Sequence, residues 1–259
     1  MHAPSTHQEH DSGARPPLLD ARRHALFLDI DGTLVDIEQH PDDVIASDAV
    51  RSLLRAWRSA SGGALALITG RTIADADAIL GGAVTSVAGV HGLEHRIEGR
   101  LERDARAVAE LGAALTEVRA LERSGRLGAR VEEKGASVAL HYRHTPENER
   151  AVRALAAQIA AKHDLRTLPG KMVIEIVAGA HTKGDAVDAF MRAAPFAGRV
   201  PVAVGDDITD EDAFAAAARG GGWAVRVGDN ASSAAAYRLR SPSAVHAWLK
   251  ASLEQGQGE

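Results

Sequence analysis

The sequence predicts an α/β fold: a Rossmann-like parallel sheet flanked by helices, with an inserted α+β domain. Three observations support this prediction. Short, uninterrupted apolar runs recur along the chain, which is typical of strands buried on both faces of a parallel sheet. Helical stretches separate these runs, as βαβ units require. Polar or glycine residues follow the runs, so one edge of the sheet should collect the side chains of a single site.

The core strands are predicted at the apolar runs, in the order in which they occur. These runs are 25–28, 64–68, 86–90, 201–204 and 224–227. Helices are predicted between them, at roughly 47–60, 72–81, 183–194 and 210–219. Ligands of such sheets bind beyond the carboxyl ends of the strands, so the residues that follow each run are the candidates for chemistry.

The middle of the chain has a different pattern. Helices are predicted at 105–123 and 146–163, and each is followed by a pair of short strands, around Lys134-Gly135 and Pro169-Gly170. This αββ-αββ order is typical of a small domain inserted between sheet units. We place that domain at 105–180, a core at 24–104 and 181–259, and a disordered tail at 1–23. The alternative is that the inserted strands extend the main sheet.

Composition excludes several classes of protein. The 259 residues carry a net charge of −5 and only 3% aromatic residues, so neither a basic nor a base-stacking nucleic-acid surface is expected. Cysteine is absent, which excludes disulfides and thiolate chemistry and predicts a cytoplasmic protein. No apolar run approaches the roughly 18 residues of a membrane span. We expect a monomer that engages neither membranes nor nucleic acids.

Asp29-Ile30-Asp31-Gly32 directly follows the first predicted strand. Two carboxylates two residues apart at a strand end can point to one side, and Gly32 allows the backbone to turn sharply. The alternative is a plain turn, since most Asp-Gly pairs are turns. This segment alone leaves the two interpretations balanced.

A second acidic cluster, residues 205–212, follows the strand predicted at 201–204. Thr209 is a suitable N-cap for the next helix, and acidic residues are favourable in a first helical turn. Asp206 lies before that turn and needs another explanation. A calcium-binding loop is excluded because the cluster lacks its glycine and spaced ligands. We therefore predict that Asp206 joins Asp29 and Asp31 at a hard cation.

Charge repulsion supports a metal in that crevice. Carboxylates about 4 Å apart repel by roughly 4 kcal/mol per pair at an effective dielectric of 20. A phosphate substrate would add to this repulsion unless a divalent cation and a basic residue were also present. Oxygen ligands together with an expected phosphate indicate Mg²⁺.

Donor groups suited to phosphate occur elsewhere in the chain. Thr69-Gly70-Arg71 offers a hydroxyl and backbone N–H groups at a helix start, although for this motif taken alone a plain N-cap is the better explanation of Thr69. Lys183 is one of only five lysines. It begins a predicted helix, where a cation is disfavoured by the helix dipole, and this placement indicates an anionic ligand.

These motifs, in their order and spacing, resemble the haloacid-dehalogenase-like phosphatases. Those enzymes share Asp-x-Asp-Gly-Thr, Thr-Gly-Arg, a lysine at a helix start and Gly-Asp-Asp-x-x-Asp. The resemblance covers about residues 25–250 and makes the inserted domain a cap. A narrower resemblance, to the trehalose-6-phosphate phosphatases, lies in 89–94, 132–135, 141–143 and 205–211.

The resemblance implies Mg²⁺-dependent hydrolysis of trehalose 6-phosphate, the last step of trehalose biosynthesis, through an aspartyl-phosphate. Asp29 would be the nucleophile, and Asp31 would be the general acid and then the general base. Thr69 and Lys183 would bind the transferred phosphoryl group.

The same resemblance implies the metal site and the sugar site. Mg²⁺ would be held by Asp29, the backbone carbonyl of Asp31 and Asp206, with Asp207 and Asp210 as supporting residues. Glu132, Lys134 and Glu175 would contact the sugar hydroxyls. The further expected substrate contacts are Arg71, His141 and Arg143.

Two other functions remain open at this point. The first is another phosphosugar phosphatase, or a sugar phosphomutase, with the same fold and a different cap chemistry. The second belongs to a different class, an inactive sensor that binds a sugar phosphate without turning it over.

Overall fold

The computed structural model describes residues 14–38, 44–97, 99–103, 105–133, 137–178, 181–229 and 233–256, apart from the side chains of residues 91 and 102–108. The described residues form a mostly parallel eight-stranded sheet and a separate four-stranded antiparallel sheet. The predicted α/β core with an inserted α+β module is therefore confirmed. The alternative in which the inserted strands extend the main sheet is excluded.

Strands alternate with helices through most of the core, and a pair of strands follows each helix of the inserted module. The strands are β1 (His24–Leu28), β2 (Leu65–Ile68), β3 (Ser86–Gly89), β4 (Glu94–Ile97), β5 (Arg100–Arg103), β6 (Arg130–Glu133), β7 (Ser137–His141), β8 (Arg166–Gly170), β9 (Val173–Val177), β10 (Val200–Gly205), β11 (Trp223–Val227) and β12 (Tyr237–Leu239). The helices are α1 (Asp48–Ala60), α2 (Ile73–Leu80), α3 (Ala105–Arg123), α4 (Glu149–Lys162), α5 (Lys183–Met191), α6 (Glu211–Arg219) and α7 (Pro242–Gly256).

Strand β1 lies inside the core sheet, whose strand order is β12-β11-β10-β1-β2-β3-β4-β5. It pairs in parallel with β2 on one side and with β10 on the other. The chain runs outward from β1 in one direction through β2 and β3, and in the other direction through β10 and β11. A crevice forms at the carboxyl end of the sheet where the strand order reverses in this way.

The apolar run of β1 is explained by burial on both of its faces. Leu26 and Leu28 pack into one cluster with α1, α2 and α7. Ala25 and Phe27 pack into another with α5 and α6, where Phe27 stacks on Phe196 at 5.6 Å between ring centroids. Burying a leucine or phenylalanine side chain fully stabilises the fold by about 1.5–3 kcal/mol. That burial makes β1 a rigid support for the residues that follow it.

The four-stranded sheet has the order β6-β7-β9-β8. Val131, Leu140 and Ile174 pack one of its faces against residues of α3 and α4. Side chains alternate along each strand, so Glu132 and Glu175 lie on the other face. Ala139 lies directly opposite both of these glutamates in the pairing register.

Residues 14–23, the last part of the predicted tail, contact the core. The expected disordered tail covers residues 1–23, but from Ala14 onward the chain packs on the core. Trp248 Nε1 donates to the Pro17 carbonyl at 2.9 Å, and Leu19 N donates to Ser252 Oγ at 3.0 Å. Residues 1–13 lie outside the described residues. Among the described helices, none is both long and apolar enough to span a membrane.

Candidate active site

Three predicted site residues directly follow adjacent parallel strands. Asp29 follows β1, Thr69 follows β2 and Asp206 follows β10. Asp29 N donates to the Val204 carbonyl at 3.0 Å and Thr69 N to the Ala88 carbonyl at 2.9 Å, so backbone pairing continues past the strand ends. The sheet therefore holds these side chains at the crevice.

The carboxylates at this crevice form a cluster. One carboxylate oxygen from each of Asp29, Asp206 and Asp210 lies within 4.8 Å of the others. Lys183 Nζ donates to Asp29 Oδ1 at 2.8 Å and to Asp210 Oδ1 at 2.7 Å. When all three carboxylates are ionised, they exceed the single ammonium by two negative charges, and every candidate metal ligand is an oxygen. This set suits a hard divalent cation.

Lys183 is buried at the first turn of α5, where Thr182 and Asp185 form a capping box. Burial would lower the pKa of Lys183, but the carboxylates of Asp210 and Asp29 outweigh burial and raise that pKa above its ordinary value. The ammonium is therefore charged at neutral pH. Lys183 begins a helix as predicted, and it is held there by carboxylates.

Asp29 and Asp206 resist ionisation when no cation is present. Burial raises the pKa of Asp29, Lys183 opposes that shift, and neighbouring carboxylates add to it. Burial raises the pKa of Asp206 to about 7, and the Asp210 carboxylate adds to this effect. A bound cation would favour the ionised forms of both residues.

The loop after β10 depends on the absence of a side chain at Gly205, because a Cβ there would overlap the Asp210 carboxylate. Asp210 Oδ2 accepts hydrogen bonds from Asp206 N at 3.0 Å and Asp207 N at 2.9 Å. Asp210 Oδ1 accepts from Lys183 Nζ, so both carboxylate oxygens of Asp210 already have hydrogen-bond donors. This arrangement favours a supporting role for Asp210 over direct coordination.

The predicted N-cap at Thr209 is wrong. The chain forms a short 3₁₀ turn at Ile208–Asp210, and α6 begins only at Glu211. Asp207 caps that turn, and its Oδ1 accepts from Ile208 N at 2.7 Å. The acidic side chains bond to nearby backbone N–H groups and thereby delay the helix.

Asp31 lies apart from the carboxylate cluster and is bound by Arg71. Arg71 Nε and Nη2 each donate to one oxygen of the Asp31 carboxylate at 2.7 Å. Thr69 Oγ1 accepts from Arg71 N at 3.1 Å, whereas the N-cap of α2 is Thr72. The plain N-cap interpretation of Thr69 is therefore excluded.

Arg71 also lies within electrostatic reach of the inserted module. Burial would lower the pKa of Arg71, but its hydrogen bonds to Asp31 raise it, and the Glu132 carboxylate contributes in the same direction. Glu132 Oε2 lies 2.7 Å from His141 Nε2. The polar face of the four-stranded sheet is thus turned toward Arg71.

Of the remaining predicted sugar contacts, Glu175 lies on this face. Glu175 is buried, and its Oε2 accepts from Ser137 Oγ at 3.2 Å. Arg143 is half-buried just beyond β7. Lys134 lies outside the described residues.

Several residues that shape the site are not among the predicted site residues. Gly32 has φ +76°, and a Cβ there would overlap the Asp206 carboxylate. Glu94 is buried and accepts from Ile73 N, at the start of α2, at 3.1 Å. Arg226 is buried in β11 beside the 206–210 loop. Arg226 had a visible signal, a charged residue inside an apolar strand run.

Comparison with known proteins identifies a family model and close relatives in sequence. The trehalose-phosphatase family model matches residues 27–243. The chain is 40% identical over 240 residues to the trehalose-6-phosphate phosphatase of Escherichia coli K12, covering 90% of this chain and 88% of that protein. It is 41% identical over 218 residues to a probable trehalose-phosphate phosphatase of Sinorhizobium fredii, covering 81% of this chain and 79% of the relative.

Solved structures share the fold at lower sequence identity. A trehalose-6-phosphate phosphatase related protein superposes with a TM-score of 0.77 at 24% identity, covering 90% of this chain and 99% of that one. The C-terminal domain of the Candida albicans trehalose-6-phosphate phosphatase gives 0.77 at 21% identity, covering 92% and 99%. With the family model and the curated relatives, these findings show that the chain belongs to the trehalose-phosphatase family.

Proposed function

We propose that the protein hydrolyses trehalose 6-phosphate to trehalose and inorganic phosphate, with Mg²⁺ as its cofactor. The observation that carries this proposal is the buried Asp29 carboxylate, 2.8 Å from the Lys183 ammonium, at the end of β1 in a chain of this family. The substrate is inferred from the E. coli relative, which is 40% identical. A sensor that only binds the sugar phosphate would not require a buried carboxylate nucleophile, Asp29, beside the Lys183 ammonium.

In the first half of the reaction, a carboxylate oxygen of Asp29 attacks the phosphorus. An O–P bond forms and the bond from phosphorus to the sugar oxygen breaks. Asp31, protonated at this stage, gives its proton to the departing sugar oxygen. For this transfer its contact with Arg71 must loosen, since the guanidinium favours the ionised carboxylate.

In the second half, Asp31 removes a proton from water as the water oxygen attacks the phosphorus. The O–P bond to Asp29 breaks, and phosphate leaves. We propose that Thr69, Lys183 and Arg71 bind the phosphoryl oxygens throughout. Lys183 is fixed for this task by its two carboxylate partners.

Mg²⁺ would be held by Asp29, Asp206 and the backbone carbonyl of Asp31, with Asp207 and Asp210 in support. The excess negative charge of the cluster fits this assignment. When bound, Mg²⁺ neutralises negative charge on the phosphoryl group. Asp210 holds the amides of Asp206 and Asp207 and so keeps the ligand loop in place.

We propose that residues 105–180 form the cap and read the sugar. Glu132, His141 and Glu175, with Arg143 and Lys134, would contact the hydroxyls. The face that carries Glu132 and Glu175 is polar and lies near Arg71, which supports this assignment.

A panel of sugar phosphates tests the proposal. Purified protein in Mg²⁺ should release phosphate from trehalose 6-phosphate at least about 100-fold faster, in kcat/KM, than from glucose 6-phosphate, because the cap contacts reach the second sugar ring. EDTA should abolish turnover. Asp29→Asn should lower kcat by about 10³-fold or more and thus exclude a contaminating phosphatase. Equal rates on the two sugars would refute the substrate assignment.

We also propose a cytoplasmic monomer, which the absence of cysteine favours for the compartment. Cell fractionation tests the compartment, and size-exclusion chromatography with light scattering tests the oligomeric state. Recovery of the native protein in the membrane fraction, or a stable dimer, would contradict the corresponding expectation.

A further inference from the structure

Arg226 is a buried cation that the proposed reaction leaves without a role. It lies in β11, and only 4% of its surface is exposed. Burying a charged group costs several kcal/mol unless its partners compensate. Its Nε finds no hydrogen-bond acceptor among the described residues. An apolar side chain would suit the interior of this strand better, so the charge calls for a functional reason.

Arg226 contacts the loop that carries Asp206. In the register of the two strands it lies directly opposite Gly205, the last residue of β10. Its Nη1 donates to the Asp207 carbonyl at 3.0 Å. Asp210 accepts from the N–H groups of Asp206 and Asp207. The backbone of the loop is therefore hydrogen-bonded both by Arg226, at a carbonyl, and by Asp210, at two N–H groups.

Glu211 holds the guanidinium of Arg226 in position. Glu211 Oε1 lies 3.2 Å from Arg226 Nη1, and Glu211 Oε2 accepts from Ala234 N at 2.8 Å. This connects β11, the start of α6 and the segment after β11 into one hydrogen-bonded unit. The Arg226 guanidinium also places a positive charge near the Asp206 carboxylate.

We propose that Arg226 is a positioning residue for the metal site. It holds the backbone of the 206–210 loop so that the Asp206 carboxylate stays beside Asp29, and its positive charge offsets part of the repulsion among the carboxylates. It touches neither the substrate nor the cation. The inference rests on the proposed Mg²⁺ site.

Direct Mg²⁺ binding tests this role without relying on turnover. Metal-free protein is titrated with MgCl₂ in a calorimeter, and thermal unfolding is followed in parallel. Arg226→Met, which keeps the volume and removes the charge, should bind Mg²⁺ about ten-fold more weakly, the lower end of the loss usual for residues that orient metal ligands. Arg226→Lys should recover most of the affinity, since its ammonium can still donate to the Asp207 carbonyl.

Arg199→Met is the matched control. Arg199 is a half-buried arginine at the opposite end of the sheet, where it donates to the carbonyls of Pro195, Ala21 and Ser61 at 2.7–2.9 Å. Its loss should lower the melting temperature and leave Mg²⁺ affinity unchanged. Wild-type affinity in Arg226→Met, whatever its melting temperature, would overturn the proposal.

Glu211→Gln decides the question if Arg226→Met does not fold. Glu211 is only partly buried, so the variant should fold, and it should bind Mg²⁺ about three-fold more weakly because its partner Arg226 is less firmly held. Unchanged affinity there would also overturn the proposal. Absence of Mg²⁺ binding in the wild-type protein would instead refute the proposed cofactor.

Discussion

At the scale of single residues, Asp29 and Asp206 carry more negative charge into the interior than Lys183 can balance. Asp206 shows the consequence, because its pKa rises from 3.8 to about 7 in the metal-free protein. Between these two values the folded protein keeps a proton that the unfolded chain loses. The contribution of this group to stability is therefore present at low pH and is lost as the pH rises toward 7.

Mg²⁺ binding should be coupled to release of that proton. Because Mg²⁺ at the proposed site would bind the ionised carboxylate, we predict an affinity about ten-fold weaker at pH 6 than at pH 8. Calorimetric titration in buffers of different ionisation enthalpy measures both the affinity and the proton release. Asp188→Asn, at an exposed ion pair with Arg219, should keep the same pH dependence. Equal wild-type affinities at the two pH values would contradict the prediction.

At the scale of elements, the end of β10 shows how one missing side chain shapes a loop. The Asp210 carboxylate occupies the position where a Cβ of residue 205 would lie. From there it reaches two backbone N–H groups and Lys183 at the same time. Through Asp210, the end of β10, the 206–210 loop and the start of α5 therefore form one hydrogen-bonded unit.

Gly205→Ala should disrupt this unit. The added methyl must push the Asp210 carboxylate away, and we predict a loss of about 1–3 kcal/mol in the free energy of unfolding. Mg²⁺ affinity should weaken by about ten-fold, since the ligand loop loses its support. Thermal unfolding and calorimetry measure the two effects.

Gly112→Ala is the matched control for this change. Gly112 lies in α3, where a Cβ would meet nothing within 4 Å, so the substitution should stabilise the helix by about 1 kcal/mol and leave Mg²⁺ binding alone. If Gly205→Ala, like Gly112→Ala, neither destabilised the protein nor weakened Mg²⁺ binding, the role of the β10 end in supporting the ligand loop would be excluded.

The strands β4 and β5 illustrate an element that sequence patterning misses. They extend the core sheet in antiparallel pairing, yet their sequences, Glu-His-Arg-Ile and Arg-Leu-Glu-Arg, contain no apolar run. Arg96 on β4 is instead held by two bonds to Asp77 on α2, at 2.5 and 2.7 Å. Strands near the edge of a sheet need less apolar surface, so periodicity does not reveal them.

At the scale of the whole molecule, the two sheets carry different parts of the proposed active site. The core sheet holds the proposed reacting groups, and the polar face of the four-stranded sheet holds the proposed sugar contacts. The two are electrostatically linked at Arg71, which binds Asp31 and whose pKa the Glu132 carboxylate helps to raise. Binding of the sugar and attack on the phosphate should therefore be separable by substitution.

Glu132→Gln should raise the KM for trehalose 6-phosphate by about ten-fold, because the substitution would remove the proposed charged contact to a sugar hydroxyl. Its kcat/KM for a small aryl phosphate, which has no sugar, should change by less than about three-fold. Glu133→Gln is the matched control. Glu133 lies on the opposite side of the same strand and pairs with Arg119 at the surface, so neither substrate should be affected. Equal losses on both substrates would remove Glu132 from the sugar site.

The amino-acid sequence alone determined the five parallel strands β1, β2, β3, β10 and β11, the helices between them and the residues at their ends. These features depend on local patterns, because a buried strand needs a continuous apolar run and the residue after it must lie at the sheet edge. Asp29, Thr69 and Asp206 could be found in this way without any knowledge of the distances between them.

Only the tertiary structure decided which side chains meet. The bond between Asp31 and Arg71, the approach of Glu132 to Arg71 and the contact of Arg226 with the Asp207 carbonyl join residues that are distant in the chain. Strand register and sheet packing set these contacts, and no local pattern encodes them. The same is true of the docked segment that begins at Ala14, because its partners on α7 lie more than 200 residues away.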